Sequence, residues 1–222
     1  MAQVVIVDYG SGNLRSVAKA VRAALAHSRH GKSTGGSRVV TTGDADTIAK
    51  ADYLVLPGVG AFADCWAGIH ATSGVHEAIS TTATHRPFLG ICVGMQLMAE
   101  YGLEGGTKTP GFGWVKGNVA PMVAKPPTIR VPHMGWNTLN ITGTTHPIFA
   151  GLDKVNDSWF YFLHGYGMTG TDKAQTIATT DYGGEEIVAA VASGTRIGVQ
   201  FHPEKSQTLG QRLLINWLNW RP

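Results

Sequence analysis

The hydrophobic positions in the first half of the chain fall into continuous apolar runs separated by stripes at helical spacing. VVIVDYG, residues 4–10, is apolar until its closing Asp, Tyr and Gly, as is typical of a strand buried on both faces. Residues 11–28 then carry a helical stripe that leaves Lys19 and Arg22 outside it. The stripe consists of Leu14, Val17, Ala18, Val21 and Leu25. Further strands are predicted at residues 38–42, 52–58 and 87–91, with a helical region from the third strand to about residue 84. This alternation predicts a parallel sheet with helices on both faces.

The pattern changes after residue 105, where short apolar runs are joined by Gly, Asn and Pro without a long helix between them. They predict mixed or antiparallel strands added to the parallel core. The runs are residues 114–123, 136–142, 158–168, 175–182, 186–193 and 195–201. Residues 207–220 predict a closing amphipathic helix. We see no repeat, linker or domain boundary, so residues 1–222 are expected to form a single α/β domain.

Composition excludes several classes of protein. The formal charge is +3 with no basic stripe, which argues against nucleic-acid binding. No apolar stretch reaches the ~18 residues of a membrane span, and the first residues show no signal-peptide layout. Two cysteines cannot build a disulfide framework or a cysteine-rich metal site. We therefore expect a soluble protein of a reducing compartment, the cytoplasm, without metal, cofactor, nucleic acid or membrane as a partner.

One cysteine stands in a catalytic frame. GICVG, residues 90–94, has the form Gly-x-nucleophile-x-Gly at a predicted strand-to-helix turn, where flanking side chains would collide. The turn places Cys92 at a helix N-terminus, and the N–H of Val93 could donate to an oxyanion. The alternative is a small core cysteine with incidental glycines. Cys65 has no such frame and is predicted to serve packing.

A thiol nucleophile needs a base and an orienting group, and HPE, residues 202–204, offers both. The residue before a proline is driven to extended geometry, so Glu204 can lie beside His202 and accept from its imidazole. Both motifs follow predicted strands, at whose carboxyl ends α/β sheets hold their sites. An ordinary turn with a solvated carboxylate is the alternative for HPE, but together the motifs favour a Cys-His-Glu triad.

These motifs resemble the class I (triad) glutamine amidotransferases. GICVGMQ (90–96), the late HPE and LPGVGAF (56–62) are similar to the elbow, the triad end and the oxyanion strand of that family. The resemblance is strongest to the glutaminase subunits of imidazole glycerol phosphate synthases, through DYGSGNLRSV (8–17), VPHMGWN (131–137), YFLHGY (161–166) and GVQFHPEKS (198–206). Two features depart from the pattern. Gly165 stands where Ser or Thr is expected, and the loop at residues 27–38 is longer and more basic.

The resemblance implies a mechanism and a set of roles. Cys92 would attack the side-chain amide of L-glutamine, His202 would transfer the proton, and Glu204 would hold His202. The ammonia would pass to a cyclase subunit that forms imidazole glycerol phosphate in histidine biosynthesis, within a heterodimer. Oxyanion donors are expected at Val93, Val59 and Gly60. Residues expected to bind glutamine are Gly58, Gly60, Gln96, Glu104, Tyr161, His164, Gly165 and Tyr166. Residues expected to face the cyclase are Asn13, Arg15, Ser16, His133, Met134, Gly135, Trp136, Asn137 and Lys205.

Three alternatives stay open from the sequence. One is another triad glutaminase, of the pyridoxal phosphate synthase type, or a γ-glutamyl hydrolase; these should lack DYGSGNLRSV and PHMGWN. A second is a redox-sensing cysteine protein of a related flavodoxin-like fold, which leaves HPE unexplained. The third is an α/β-hydrolase with a cysteine nucleophile, whose acid should precede its histidine.

Overall fold

A computed structural model describes residues 2–31, 36–123, 129–142, 146–152 and 158–222. The strands are β1 (Gln3–Val7), β2 (Arg38–Thr42), β3 (Tyr53–Gly58), β4 (Phe88–Cys92), β5 (Tyr101–Gly102), β6 (Thr109–Pro110), β7 (Asn118–Pro121), β8 (His133–Thr138), β9 (Asn140–Ile141), β10 (Trp159–His164), β11 (Tyr166–Thr169), β12 (Thr176–Tyr182), β13 (Glu185–Ser193) and β14 (Arg196–Val199). The helices are α1 (Leu14–His27), α2 (Ala45–Ala49), α3 (Phe62–Ala71), α4 (Val75–Thr82), α5 (Val93–Gln96) and α6 (Gln207–Asn219), with single 3₁₀ turns at Glu104–Gly106, Pro147–Phe149 and Pro203–Lys205. Within this described part, no helix is long and apolar enough to cross a membrane.

The central sheet has eight strands in the order β2-β1-β3-β4-β14-β13-β12-β9. The first five run parallel, and the last three extend the sheet in antiparallel fashion. The predicted parallel core with added antiparallel strands is therefore confirmed. β3 and β4 are buried along their whole length, as strands covered on both faces must be.

The order of strands fixes where a site can form. The chain moves from β1 to β2 in one direction and then from β3 to β4 in the other. Right-handed crossovers therefore put α1 on one face and α3 and α4 on the other. The crevice opens beyond the carboxyl ends of the strands, at the point where the order reverses. α6 packs beside α1, and Val17, Val21 and Leu25 of the predicted stripe are buried.

Some of the second-half strands leave the central sheet, which the sequence pattern did not predict. β8 and β10 form a separate antiparallel pair, and β11-β7-β5-β6 forms a third sheet. β12 and β13 form a hairpin across Gly183 and Gly184, whose φ values of 68° and 80° suit a tight two-residue turn.

The basic loop predicted at residues 27–38 is partly helix and turn. α1 continues to His27, and Arg29 donates to the backbone carbonyl of Asn219 at the end of α6 (2.7 Å) and to the Tyr53 hydroxyl (2.9 Å). Residues 32–35 of that loop lie outside the described residues. Arg29 thus caps the carbonyl end of α6, where a positive charge is favoured.

Candidate active site

The turn between β4 and α5 holds Cys92 in a conformation that residues with side chains rarely adopt, with φ 55° and ψ −112°. Such a backbone costs about 1–3 kcal/mol and is common at functional sites. The predicted steric role of the glycines is present. A Cβ on Gly90 would lie 2.5 Å from the carbonyl oxygen of Gly94, and a Cβ on Gly94 would overlap that of Leu56. Since α5 is a single turn, Cys92 lies beside a few free N–H groups rather than the dipole of a long helix.

His202 follows β14 with an extended backbone, and Glu204 lies in the 3₁₀ turn Pro203–Lys205 that begins directly after it. Nδ1 of His202 donates to Oε1 of Glu204 at 2.8 Å, and the two side chains are 3% and 1% exposed. The side chain of His202 also lies close enough to Cys92 for the two groups to interact, and both line the same cavity. Because Glu204 occupies Nδ1, Nε2 is the ring nitrogen left for the sulfur. The three side chains predicted as a triad are thus in one chain of contacts.

The two histidines that line the site differ in charge. Burial by itself lowers the pKa of His202, but its contacts with Cys92 and Glu204 outweigh burial and raise it from 6.5 to about 9. Burial lowers the pKa of His164 to about 3. At neutral pH His202 therefore holds a proton beside Cys92, whereas His164 is a neutral ring.

Gln200 is a contact of Cys92 that sequence reasoning missed. It is fully buried, and its Nε2 lies 3.7 Å from Sγ of Cys92, while its Oε1 accepts from Gln96 at 3.0 Å. The spacing that linked His202 to Glu204 also links Gln200 to His202, two residues apart in an extended segment. That signal could have found it.

A cavity of about 320 Å³ opens at Cys92. Its lining includes most of the residues predicted to act on glutamine, and also Pro132 and Leu163, which were not predicted. The lining residues are Val59, Gly60, Cys92, Val93, Gln96, Glu104, Pro132, Leu163, His164, Gly165, Tyr166, His202 and Lys205. Among the residues that the structure describes, no three His, Cys, Asp or Glu side chains could hold a metal ion together.

Comparison with known proteins identifies the family to which this chain belongs. Residues 5–219 match the family described as "Glutamine amidotransferase class-I". The chain belongs to this family. It is 47% identical to "Imidazole glycerol phosphate synthase subunit HisH" of Mesorhizobium japonicum, over 99% of this chain and 100% of that protein. The protein of that name from Granulibacter bethesdensis is 48% identical, over 99% of this chain and 97% of its own length.

Solved structures agree with the fold of a class I glutamine amidotransferase. The glutaminase domain of Trypanosoma brucei CTPS with bound acivicin aligns over 98% of this chain and 91% of its own, at a TM-score of 0.62 and 15% identity. A crystal structure of a glutamine amidotransferase aligns over 97% and 99%, at a TM-score of 0.65 and 16% identity.

Gln96 and Glu104 of this amidotransferase line the cavity but also have structural partners. Nε2 of Gln96 donates to the carbonyl of Tyr166 (3.0 Å) and to Gln200. Oε2 of Glu104 accepts from the backbone N–H of Phe62 (2.6 Å), at the start of α3. Glu104 therefore caps the start of α3 as well as lining the cavity.

Three other residues predicted to bind glutamine differ in position: Gly165 lines the cavity, whereas Gly58 and Tyr161 do not. Gly58 packs against Tyr9 and α5, and the Tyr161 carbonyl accepts from the His202 N–H at 2.8 Å. A Cβ on Gly165 would meet ordinary contacts, the nearest at 3.6 Å from Val131. Sterics therefore do not require glycine at this position, where the resemblance led us to expect Ser or Thr.

The predicted oxyanion donors differ in whether their N–H groups already have a hydrogen-bond partner. Val93 is the first residue of α5, so its N–H lies next to Cys92. The N–H of Val59 instead donates to the Ser11 hydroxyl at 3.2 Å, and that hydroxyl donates to the Val59 carbonyl at 2.6 Å. Gly60 has a positive φ of 94°, a backbone conformation that glycine adopts readily and other residues rarely do. Val59 could reach an oxyanion only after its bond to Ser11 opens.

Two of the three segments predicted to face a partner adjoin the cavity, since its lining includes Lys205 and Pro132, which precedes residues 133–137. Met134 and Trp136 alternate onto one face of β8 and are 63% and 43% exposed. Lys205 lies over the Tyr161 ring, 5.5 Å from its centroid. His133 differs from the expectation, since it is buried and stacks on Tyr182 with ring centroids 3.9 Å apart. The period of a strand sends successive side chains to opposite faces, so the whole segment cannot face outward.

Proposed function

We propose that this chain is the glutaminase subunit of an imidazole glycerol phosphate synthase and hydrolyses L-glutamine to glutamate and ammonia. One observation carries the proposal. A cysteine on a strained elbow contacts a histidine that is protonated at neutral pH and held by a buried carboxylate. The relatives of that name, at 47% and 48% identity over nearly the whole chain, support the choice of reaction.

The chemistry follows from the roles that the three side chains can take. Cys92 attacks the amide carbon of glutamine as a thiolate, its proton residing on His202. His202 gives that proton to the departing nitrogen, so ammonia leaves and a glutamyl thioester remains. Water then attacks the thioester while His202 removes its proton, and glutamate leaves from a restored Cys92. Glu204 keeps His202 in the tautomer and orientation that both steps need.

The cavity suits this substrate. The N–H of Val93 would donate to the oxyanion of each tetrahedral intermediate, with Gly60 or Val59 as a second donor once the bond to Ser11 opens. Glu104 would pair with the α-ammonium of glutamine, and Gln96 with Tyr166 and the 164–166 backbone would hold its polar end. These assignments rest on the resemblance and on the lining of the cavity.

The ammonia is proposed to pass to a separate cyclase chain. The relatives are called subunits over 97–100% of their own length, which supports an acceptor outside the chain. The exposed apolar side chains of Met134 and Trp136, together with Lys205 and the start of α1, would form the contact. We place this reaction in the cytoplasm, where a reactive thiol stays reduced.

Replacing Cys92 by Ala tests the proposal. The complex of this chain and the cyclase, assayed for imidazole glycerol phosphate, should lose glutamine-dependent synthesis by at least about 10³-fold, since removal of a nucleophile costs on that order. Synthesis from added ammonium salt should stay within about 2-fold, because Cys92 serves only to make ammonia. If wild-type protein released no glutamate with the cyclase present, the function would be wrong. If ammonium failed to support the variant although the chains still bound, the division of labour would be wrong.

A further inference from the structure

One oxygen of the triad carboxylate has no partner. Oε1 of Glu204 accepts from His202, but Oε2 is buried and forms no hydrogen bond among the described residues. The side chain is 1% exposed, so bulk water does not reach it. A buried carboxylate oxygen without a donor is costly, and a specific group normally satisfies it.

The space beside Glu204 is a narrow cavity between the start of α1 and the ends of β3 and β4. It has no room for a water-sized sphere, so an ordered water does not supply the donor. Its lining is Asn13, Val17, Pro57, Gly58, Val59, Ile91, His202 and Glu204. Among these residues, Asn13 has the one polar side chain outside the His202–Glu204 pair.

The amide of Asn13 is free to act as that donor. Asn13 is the N-cap residue of α1, but its side chain makes no capping hydrogen bond and no other hydrogen bond within the described part of the chain. α1 packs against the turn Pro203–Lys205, which brings this N-cap to the back of the triad. An amide N–H is suited to a carboxylate oxygen, and such charge-assisted bonds are among the strong ones.

We propose that Asn13 is a positioning residue of the triad, whose side-chain amide turns into the narrow cavity and donates to Oε2 of Glu204. This inference rests on the proposed function and assigns to Asn13 a role besides contact with the partner. With both oxygens bonded, Glu204 is held in one rotamer and His202 is held with it. Asn13 acts through Glu204 and does not touch glutamine.

A polarity swap tests the proposal. The four combinations of Asn or Asp at 13 with Glu or Gln at 204 are compared in complex with saturating cyclase, by kcat and KM for glutamine hydrolysis. Asn13→Asp should lower kcat by about 10-fold or more with little change in KM, because two carboxylates then face each other. Combined with Glu204→Gln, Asn13→Asp should restore the bond and be neutral or favourable. Asp caps helices as well as Asn does, so a structural effect would be the same in both backgrounds.

A second readout does not depend on glutamine. The rate of Cys92 alkylation by iodoacetamide in the same complexes should follow the same pattern. Asn13→Asp should slow alkylation when residue 204 is Glu and should not slow it when residue 204 is Gln. Lys19→Ala, an exposed change on the same helix, should leave both readouts unchanged. If Asn13→Asp has the same effect in both backgrounds, or none, Asn13 does not position Glu204. A wild-type complex that alkylates normally but releases no glutamate would instead refute the proposed function.

Discussion

Replacing Glu204 by Gln removes the negative charge beside His202 while keeping the shape of the side chain. In the wild-type fold the pKa of His202 is raised from 6.5 to about 9. One pKa unit corresponds to about 1.4 kcal/mol, so the protonated form is favoured by about 3 kcal/mol in total. Cys92 contributes to this as well as Glu204, so we assign about 1–2 kcal/mol to Glu204.

The sign of the pH dependence follows from the direction of this shift. A group whose pKa is raised by folding adds stability that is fully present below its unfolded pKa, here 6.5, and is lost as pH rises through about 9. The free energy of unfolding of the Glu204→Gln variant should therefore fall about 1–2 kcal/mol below that of wild type near pH 6. The difference should shrink toward zero near pH 9.5.

Urea unfolding of the isolated chain at about pH 6, 7.5 and 9.5 measures this difference. Repeating the comparison in a Cys92→Ala background isolates the share of Glu204. Glu100→Gln is the matched control, since Glu100 accepts a backbone N–H from Gly117 (2.9 Å) and has no histidine partner. A Glu204→Gln difference that is independent of pH, or that grows as pH rises, would refute the reasoning.

Two further predictions concern the elbow and its cysteine. Gly94→Ala should lower the free energy of unfolding in urea by about 3 kcal/mol, because the new Cβ overlaps the Leu56 carbonyl. Gly167→Ala should change it by less than about 1 kcal/mol, because the nearest atom to a Cβ there is 3.8 Å away. Equal effects of the two substitutions would contradict the steric account. A glutamine-derived electrophile should label Cys92 and leave Cys65 unmodified, as detected by mass spectrometry, since Cys65 is 1% exposed and burial raises the pKa of its thiol. Labelling of Cys65 with loss of activity would show that Cys92 does not carry the covalent step.

The sequence by itself determined the features that depend on neighbouring residues. Gly90 predicted the elbow because a Cβ there would strike the Gly94 carbonyl within the turn, and the structure has that turn; a Cβ on Gly94 would instead strike the Leu56 carbonyl of β3, a contact that folding creates. The extended residue before Pro203 predicted that Glu204 would reach His202, and the two are 2.8 Å apart. The buried run at residues 4–10 and the stripe through Leu25 predicted β1 and α1 within a few residues of their ends.

Only the tertiary structure decided how distant segments meet. The sequence pattern did not reveal that β8 would leave the central sheet and pair with β10, which buries His133 and exposes Met134. It did not reveal that Gln200 would contact Cys92, or that Ser11 would hold the N–H of Val59. The physical reason is that steric rules act between adjacent residues, whereas strand pairing and buried hydrogen bonds are chosen by packing across the whole chain.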